Sequence, residues 1–338
     1  MREIDEAVTL EELDVLYGKE SLKAYVGIEP SGFLHIGQGF LISNKVKDLV
    51  EAGFEVTILL ADWHAYINDK WGGDIESIRA SGAYLEDAFT AMGCDGPKVK
   101  YIFAKDVIGN PQYWEKVLRI SKSCSVNRIK RALTIMGRQE SEADTDASKL
   151  IYPAMQAADI FEFNVDLAYG GMDQRKAHML ARDAAEKLGW PKFVALHSPL
   201  MAGLKGGSKM DVTTKMSKSD PDSAIFLHDK EDDIRRKIKK AWCEEGITEG
   251  NPILDMARFI IFRRYDSLTI NRPEKWGGDL VYEKYEALHK AFEAKEVHPA
   301  DLKKAVADRM VEILEPISKK ILQSDNYKKM ETKVNFEK

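Results

Sequence analysis

The sequence predicts an α/β protein: a doubly wound, parallel-sheet domain of the Rossmann-like kind with a helical insertion, followed by an all-helical C-terminal domain. Three observations carry this. Short apolar runs alternate with helical segments over the first two-thirds of the chain. Runs such as EVTILLA are continuous rather than alternating, as in strands buried on both faces. After Pro221 the strand signal gives way to helical periodicity.

In order, 23–29 (KAYVGIE) reads as a strand that ends in a Pro30-Ser31-Gly32 turn, with a helix from about 37 to 52. The run 55–61 is a second strand, and Asp74 is an N-cap for a helix reaching about 93. Further strands are predicted at 98–103, 166–169 and 193–196. Strands separated by helices imply right-handed crossovers and a parallel sheet, which binds ligands at the carboxyl ends of its strands. The polar helical stretch 110–149 interrupts the alternation and reads as an insertion between the halves of the sheet. Helices are predicted at 230–242, 251–264, 281–294 and 299–321, before a frayed polar tail. The domains are then 1–225 and 226–338.

Of 338 residues, 44% are hydrophobic and 31% charged, the balance of a globular chain and not of a disordered one. The three cysteines, Cys94, Cys124 and Cys243, are odd in number and widely spaced, with no zinc pattern, and no metal ligands are assigned. The opening MREIDEAVTLEELDVL is acidic where a secretory leader is basic and then apolar, and no apolar run reaches membrane-spanning length. The expectation is a cytoplasmic protein with no membrane partner. The net charge of −5 gives no overall attraction to nucleic acid. A local patch does: Arg119, Lys122, Arg128, Lys130, Arg131 and Arg138 occur with no acidic residue between Arg119 and Gln139. A solvated helix face explains that run equally well.

Two clusters carry chemistry. The turn Glu29-Pro30-Ser31-Gly32-Phe33-Leu34-His35-Ile36-Gly37-Gln38 leaves a buried strand and opens a helix, where backbone N–H groups and the helix dipole meet phosphate. Gly37 lets a base or ribose approach the backbone, and His35 can donate to a phosphate oxygen. Far downstream, Lys215-Met216-Ser217-Lys218-Ser219 follows a glycine-rich polar stretch, and two lysines there can clamp a triphosphate as charge builds on the leaving group. Taken singly, a structural histidine and a solvated basic loop are the plainer readings.

Together, the order HIGQ then KMSKS around a doubly wound sheet resembles the class I aminoacyl-tRNA synthetases. Tyr152-Pro153-Ala154-Met155-Gln156-Ala157-Ala158-Asp159-Ile160 and Gly170-Gly171-Met172-Asp173-Gln174-Arg175-Lys176 resemble the amino-acid pocket of the tyrosyl-tRNA synthetases, in their archaeal and eukaryotic-like branch. The similarity runs from about Tyr25 to Ile321 and includes EKWGGD (274–279) and VHPADLK (297–303).

The resemblance implies activation of L-tyrosine by ATP with Mg²⁺, transfer to tRNA(Tyr), and a homodimer joined through 110–149. It assigns catalysis to His35, Lys215 and Lys218. Tyr25 and Asp159 fall to the substrate hydroxyl, and Tyr152, Gln156 and Gln174 to its α-amino end. Gly27, Glu29, His35, Gly37, Gln38, Lys215, Ser217, Lys218 and Ser219 are assigned to ATP. Arg175 and Lys176 fall to the acceptor end, beside Arg128 and Arg131, and Trp276, His298 and Asp301 to the first anticodon base. Helical spacing independently puts Tyr152, Gln156 and Asp159 on one face of a helix that begins near Tyr152. Asp62, His64, Tyr66 and Asn68 follow the second strand where the cleft should lie, as pocket lining or as packing.

Two departures stand out. Gln38 replaces the histidine that ends the first motif in many relatives, which puts its own role in doubt. Ser208-Lys209-Met210 is a decoy, since only the second copy continues as SKS. The rival readings are a tryptophanyl-tRNA synthetase and a catalytically idle paralogue that binds RNA or proteins.

Overall fold

The computed structural model describes residues 3–16, 18–137, 146–207 and 221–336. The Lys215–Ser219 cluster, the decoy at 208–210 and Arg138 lie outside the described residues. The chain divides into two compact units: Met1–Gly32, Ile42–Pro199 and Lys328–Lys338 form one, and Phe33–Leu41 with Leu200–Tyr327 form the other.

The first unit runs β1 (Glu6–Val8), α1 (Leu10–Val15), β2 (Leu22–Ile28), then, after the HIGQ turn, α2 (Ile36–Glu51, counted with the second unit as far as Leu41), β3 (Phe54–Leu60), α3 (Asp62–Ile67), α4 (Ile75–Ala91) and β4 (Val99–Phe103). It continues with α5 (Pro111–Ser123), α6 (Val126–Ala132), α7 (Ala147–Glu162), β5 (Leu167–Gly171), α8 (Arg175–Leu188) and β6 (Val194–Ser198). The sheet order is β1-β6-β5-β2-β3-β4, and every pairing is parallel except that of β1 with β6. The order reverses between β2 and β5, so the switch point of the doubly wound sheet lies beside Tyr25, which pairs with Thr57 on one side and Ala168 on the other.

Local chemistry explains most of these elements. Asp74 accepts from the N–H groups of Glu76 and Ser77, the cap predicted for α4. Asn110 caps α5 with Pro111 in the first turn, and Ser125 caps α6. The helix of the pocket face begins at Ala147, earlier than Tyr152, because Asp146 accepts from the N–H groups of Ser148 and Lys149. The edge strand β1 was not predicted, since three residues give too little alternation to read.

In the second unit α9 (Glu231–Lys240) opens with three acids and ends with lysines, in accord with its dipole. α10 (Pro252–Met256) runs into a π turn at Ala257–Ile261. The predicted helix at 281–294 starts later: β7 (Leu268–Ile270) and β8 (Leu280–Tyr282) form a two-stranded antiparallel ribbon, followed by α11 (Tyr285–Glu293). The ribbon closes through Arg272, whose N–H donates to Asp279 and whose Nε donates to the Gly278 carbonyl. α12 (Pro299–Gln323) buries Leu302, Val306, Met310 and Leu314 along one stripe. The polar tail is not frayed: α13 (Asp325–Phe336), counted with the first unit from Lys328 on, starts at Ser324, whose hydroxyl accepts from the N–H groups of Asn326 and Tyr327. Among the described residues, no helix is long and apolar enough to cross a membrane.

Candidate active site

A polar pocket forms in the first unit at the carboxyl ends of β2, β3 and β5. Asp159 on α7 is only 2% exposed and lies among Ala154, Ala157 and Ala158. Tyr25 Oη lies 3.4 Å from Asp159 Oδ2, and Tyr113 Oη donates to Asp159 Oδ1 at 2.8 Å. His64 Nε2 is 3.1 Å from Oδ2 but out of line for a hydrogen bond, and neither ring nitrogen has a hydrogen-bond partner. Burial works against charging His64, but the Asp159 carboxylate outweighs it and the imidazole is held above its ordinary value. Burial, reinforced by Asp159, pushes the phenols of Tyr25 and Tyr113 well above theirs, so both stay protonated donors. A Cβ at Gly27 would stand 2.5 Å from the Tyr25 hydroxyl, so glycine there gives that hydroxyl its room.

At the other end of the pocket, Tyr152 Oη donates to Glu29 Oε1 at 2.6 Å, and Asn68 Nδ2 reaches both Glu29 oxygens at 3.1 and 3.0 Å. Gln156 Nε2 donates to Gln174 Oε1 at 3.0 Å, while Gln174 Nε2 donates to the Ile135 carbonyl at 3.2 Å. Gln156 Oε1 is buried with no partner. The Glu29 carboxylate and the orphaned Gln156 oxygen both only accept, the chemistry that suits an ammonium group.

Of the residues after the second strand, His64 and Asn68 join this pocket. Asp62 does not: its Oδ1 accepts from the N–H groups of Trp63 and Lys105, and its Oδ2 from Arg79 Nε, which locks the ends of β3 and β4 to α4. Tyr66 is 45% exposed. Tyr113 escaped the sequence reading because it lies in the polar insertion, where nothing in the periodicity marks an inward-facing phenol. The Ile135 carbonyl carries no sequence signal at all.

His35, Gly37 and Gln38 belong to the second unit. The His35 turn is zipped to the segment just beyond the Lys215–Ser219 cluster: Ile36 N–H donates to Ile225 O at 2.8 Å and Leu227 N–H to Leu34 O at 3.0 Å. His35 Nδ1 accepts from the Gln38 N–H at 3.4 Å. A neutral His35 therefore carries its proton on Nε2, as a donor needs.

Arg175 and Lys176 open α8; Arg175 is paired with Glu6, and Lys176 is exposed. Arg128 is paired with Asp183, and Arg131 is exposed. Trp276 is 67% exposed on the ribbon turn, His298 caps α12, and Asp301 sits in its first turn. Arg272 Nη1 reaches the Glu296 carbonyl at 3.5 Å, which ties the ribbon to the approach to α12.

The family model for tRNA synthetases class I (W and Y) matches residues 18–315. A tyrosine–tRNA ligase of Saccharolobus islandicus is 47% identical over 346 residues, covering 99% of this chain and 96% of that protein. The crystal structure of tyrosyl-tRNA synthetase from Aeropyrum pernix superposes with a TM-score of 0.87 at 45% identity, covering 97% of this chain and 94% of that one. The tyrosyl-tRNA synthetase of Pyrococcus horikoshii, solved in complex with L-tyrosine, gives 0.90 at 38% identity, with 98% and 96% covered.

Proposed function

The chain belongs to the class I tRNA synthetases of the tryptophan and tyrosine group, and from that premise we infer that it is a tyrosine–tRNA ligase. It activates L-tyrosine with ATP to tyrosyl-adenylate, releasing pyrophosphate, and transfers the tyrosyl group to the 3′ end of tRNA(Tyr). The observation that carries this is the 47% identity to a tyrosine–tRNA ligase over nearly the full length, in a chain whose pocket ends on a buried carboxylate beside a phenol. That arrangement suits a substrate hydroxyl, which can donate to Asp159 and accept from Tyr25.

In this reading the Glu29–Tyr152–Asn68 group and the unpartnered Gln156 oxygen receive the α-ammonium, with Gln174 holding Gln156 in place. Glu29 also serves ATP, as an acceptor for a ribose hydroxyl, since a carboxylate repels phosphate. Gly27, Gly37 and Gln38 give ATP close backbone approach. His35, Lys215 and Lys218, with Ser217 and Ser219, stabilise the phosphates as the tyrosine carboxylate attacks the α-phosphorus. Little acid–base chemistry is required, so positioning and charge stabilisation dominate the rate. The zipper between the His35 turn and 225–227 supports joint action of the two motifs. No group of three or more His, Cys, Asp or Glu able to hold a metal occurs among the described residues. Mg²⁺, a hard cation that suits phosphate oxygens and water, would accompany ATP.

Arg128, Arg131, Arg175 and Lys176 take the acceptor end of tRNA, and Trp276, His298 and Asp301 the anticodon. The exposed Trp114, Leu118 and Val126 of 110–149 support a homodimer through this segment. Cytoplasmic placement follows from the role in translation. Amino-acid-dependent ATP–pyrophosphate exchange tests the reading. Exchange with tyrosine and not tryptophan is expected; a tryptophan preference, or no exchange with either, would overturn it.

A further inference from the structure

Asp62 and Asp159 are both buried carboxylates of the first unit, and their surroundings differ in a way that bears on function. Asp62 is 0% exposed, with close hydrogen bonds on both oxygens: two backbone N–H groups at 3.0 Å on Oδ1 and Arg79 Nε at 3.0 Å on Oδ2. Both of its oxygens are held at close range by fixed protein donors. Asp159 has only one oxygen so served. Tyr113 donates to Oδ1 at 2.8 Å, whereas Oδ2 has Tyr25 at the long limit of 3.4 Å and the His64 ring, whose Nε2 stands 3.1 Å away as an ion-pair partner but out of line for a hydrogen bond. Leaving part of a buried carboxylate poorly bonded is costly, so such an oxygen marks a place where a ligand completes the shell.

What decides which oxygen is left open is Tyr113. Its ring is fully buried and packs edge-on against Trp114, with centroids 5.8 Å apart. Its hydroxyl lies between Asp159 Oδ1 and the Met155 carbonyl at 3.2 Å, both on α7. A phenol has one proton, and both neighbours only accept, so that proton is drawn to the charged and nearer one. The carboxylate plane is thereby fixed with Oδ2 turned to Tyr25 and the pocket.

Resting on the assignment of Tyr25 and Asp159 to the substrate hydroxyl, we propose that Tyr113 is a positioning residue for substrate selection. It occupies Asp159 Oδ1, holds Oδ2 as a pure acceptor, and thereby requires that the side chain entering the pocket carry a hydrogen-bond donor at its para position. Tyr113 itself does not touch substrate. The discrimination of tyrosine from phenylalanine is the standing illustration of a site that rejects an analogue lacking its hydrogen-bonding group. Tyr113 supplies the polarity of that site, because an acceptor held in one orientation rewards a donor and nothing else.

The test is pyrophosphate exchange with tyrosine, phenylalanine, 4-aminophenylalanine and 4-fluorophenylalanine, in the wild-type protein and in Tyr113→Phe. Wild type is expected to favour the amino analogue, which donates, over the fluoro analogue, which cannot. Tyr113→Phe should lower the tyrosine-to-phenylalanine ratio of kcat/KM by about ten- to a hundredfold, mainly through a raised KM for tyrosine. A purely structural role would lower Tm and leave that ratio within about twofold, which would overturn the proposal. Equal use of the amino and fluoro analogues by wild type would overturn it with no variant needed, should Tyr113→Phe fail to fold. Absence of exchange with tyrosine in the wild type would sink the ligase assignment and this inference with it; exchange with tyrosine but no donor preference sinks this inference alone.

Discussion

Arg175 and Glu6 meet as a bidentate pair, Nε to Oε2 at 2.6 Å and Nη2 to Oε1 at 2.8 Å, joining the first residue of α8 to the edge strand β1. The guanidinium's hydrogen bonds hold the Glu6 carboxyl below its ordinary value. A fork that fits a carboxylate also fits a phosphate, so, on the proposed tRNA role of Arg175, Glu6 competes with a tRNA phosphate. Glu6→Gln should tighten tRNA binding and steepen its salt dependence by about one unit of log–log slope, and Arg175→Ala should do the reverse. Binding measured across a salt series checks this; no change in either variant would remove Arg175 from the tRNA contact.

Arg128 spends both Nε and Nη2 on Asp183 Oδ2, at 3.1 and 2.9 Å, whereas Arg131 is exposed. The basic run is thus partly neutralised from α8, which the sequence does not reveal. Arg131→Ala should therefore weaken tRNA binding more than Arg128→Ala. The double variant should flatten the salt slope while tyrosine activation stays intact. Unchanged tRNA affinity in the double variant would make this a solvated face.

In the proposed mechanism the Lys215–Ser219 cluster acts on the transition state. Lys218→Ala should slow adenylate formation by about 2–4 kcal/mol of barrier, with tyrosine affinity little changed. Lys215→Ala should behave alike and Lys209→Ala should not. Single-turnover activation at the wild-type rate would take Lys218 out of the mechanism.

Acid sensitivity follows from His178. Its Nδ1 lies 3.0 Å from His197 Nε2, and burial first, then the neighbouring His197, pushes it down to about 3. Between the unfolded value near 6.5 and that depressed one, the unfolded chain binds a proton that the folded ring refuses. Stability is therefore lost as pH falls through this window, at about 1.4 kcal/mol per pH unit for one such group. His64, held above its ordinary value, opposes this: its contribution is full below the unfolded value and lost as pH rises through the folded one. Urea unfolding at pH 7 and pH 5 should show a smaller acid loss in His178→Phe than in wild type. An equal loss would place the acid sensitivity elsewhere.

The anticodon assignment meets a double duty at α12. His298 Nδ1 accepts from the Ala300 N–H at 3.1 Å, so its ring caps the helix that Asp301 helps open. Trp276 is not packed in the core; it is exposed and beside Lys275. Trp276→Ala should weaken tRNA binding by roughly 1–3 kcal/mol through a lost base stack. Asp301→Ala should raise the tRNA requirement for charging and blunt discrimination at the first anticodon base, a guanine by the family resemblance, with pyrophosphate exchange unchanged. A guanine preference as strong as in wild type would leave Asp301 a helix-opening residue only.

Much of the site is written locally. The apolar run of β3, the Asp74 cap and the shared face of Tyr152, Gln156 and Asp159 all depend on neighbours within a few positions, which periodicity and capping chemistry expose. The ribbon of β7 and β8 was hidden for the opposite reason. Its strands are three residues long, and what stabilises it is Arg272 reaching Asp279 and Gly278 across the turn.

The sequence by itself determined the doubly wound sheet, the order of the two phosphate-side motifs, and the helix face carrying Asp159. These follow from hydrophobic period and from residue types that few other chemistries require. Only the tertiary structure decided that Tyr113, from a polar insertion, is the donor on Asp159, that Glu29 gathers Tyr152 and Asn68, and that Glu6 faces Arg175. Each of those contacts joins residues whose chain separation carries no pattern. Each exists because the strand order and the packing of helices on the sheet bring a donor within hydrogen-bond reach of an acceptor far away in the chain, and at Asp159 burial would otherwise leave that acceptor unpaired.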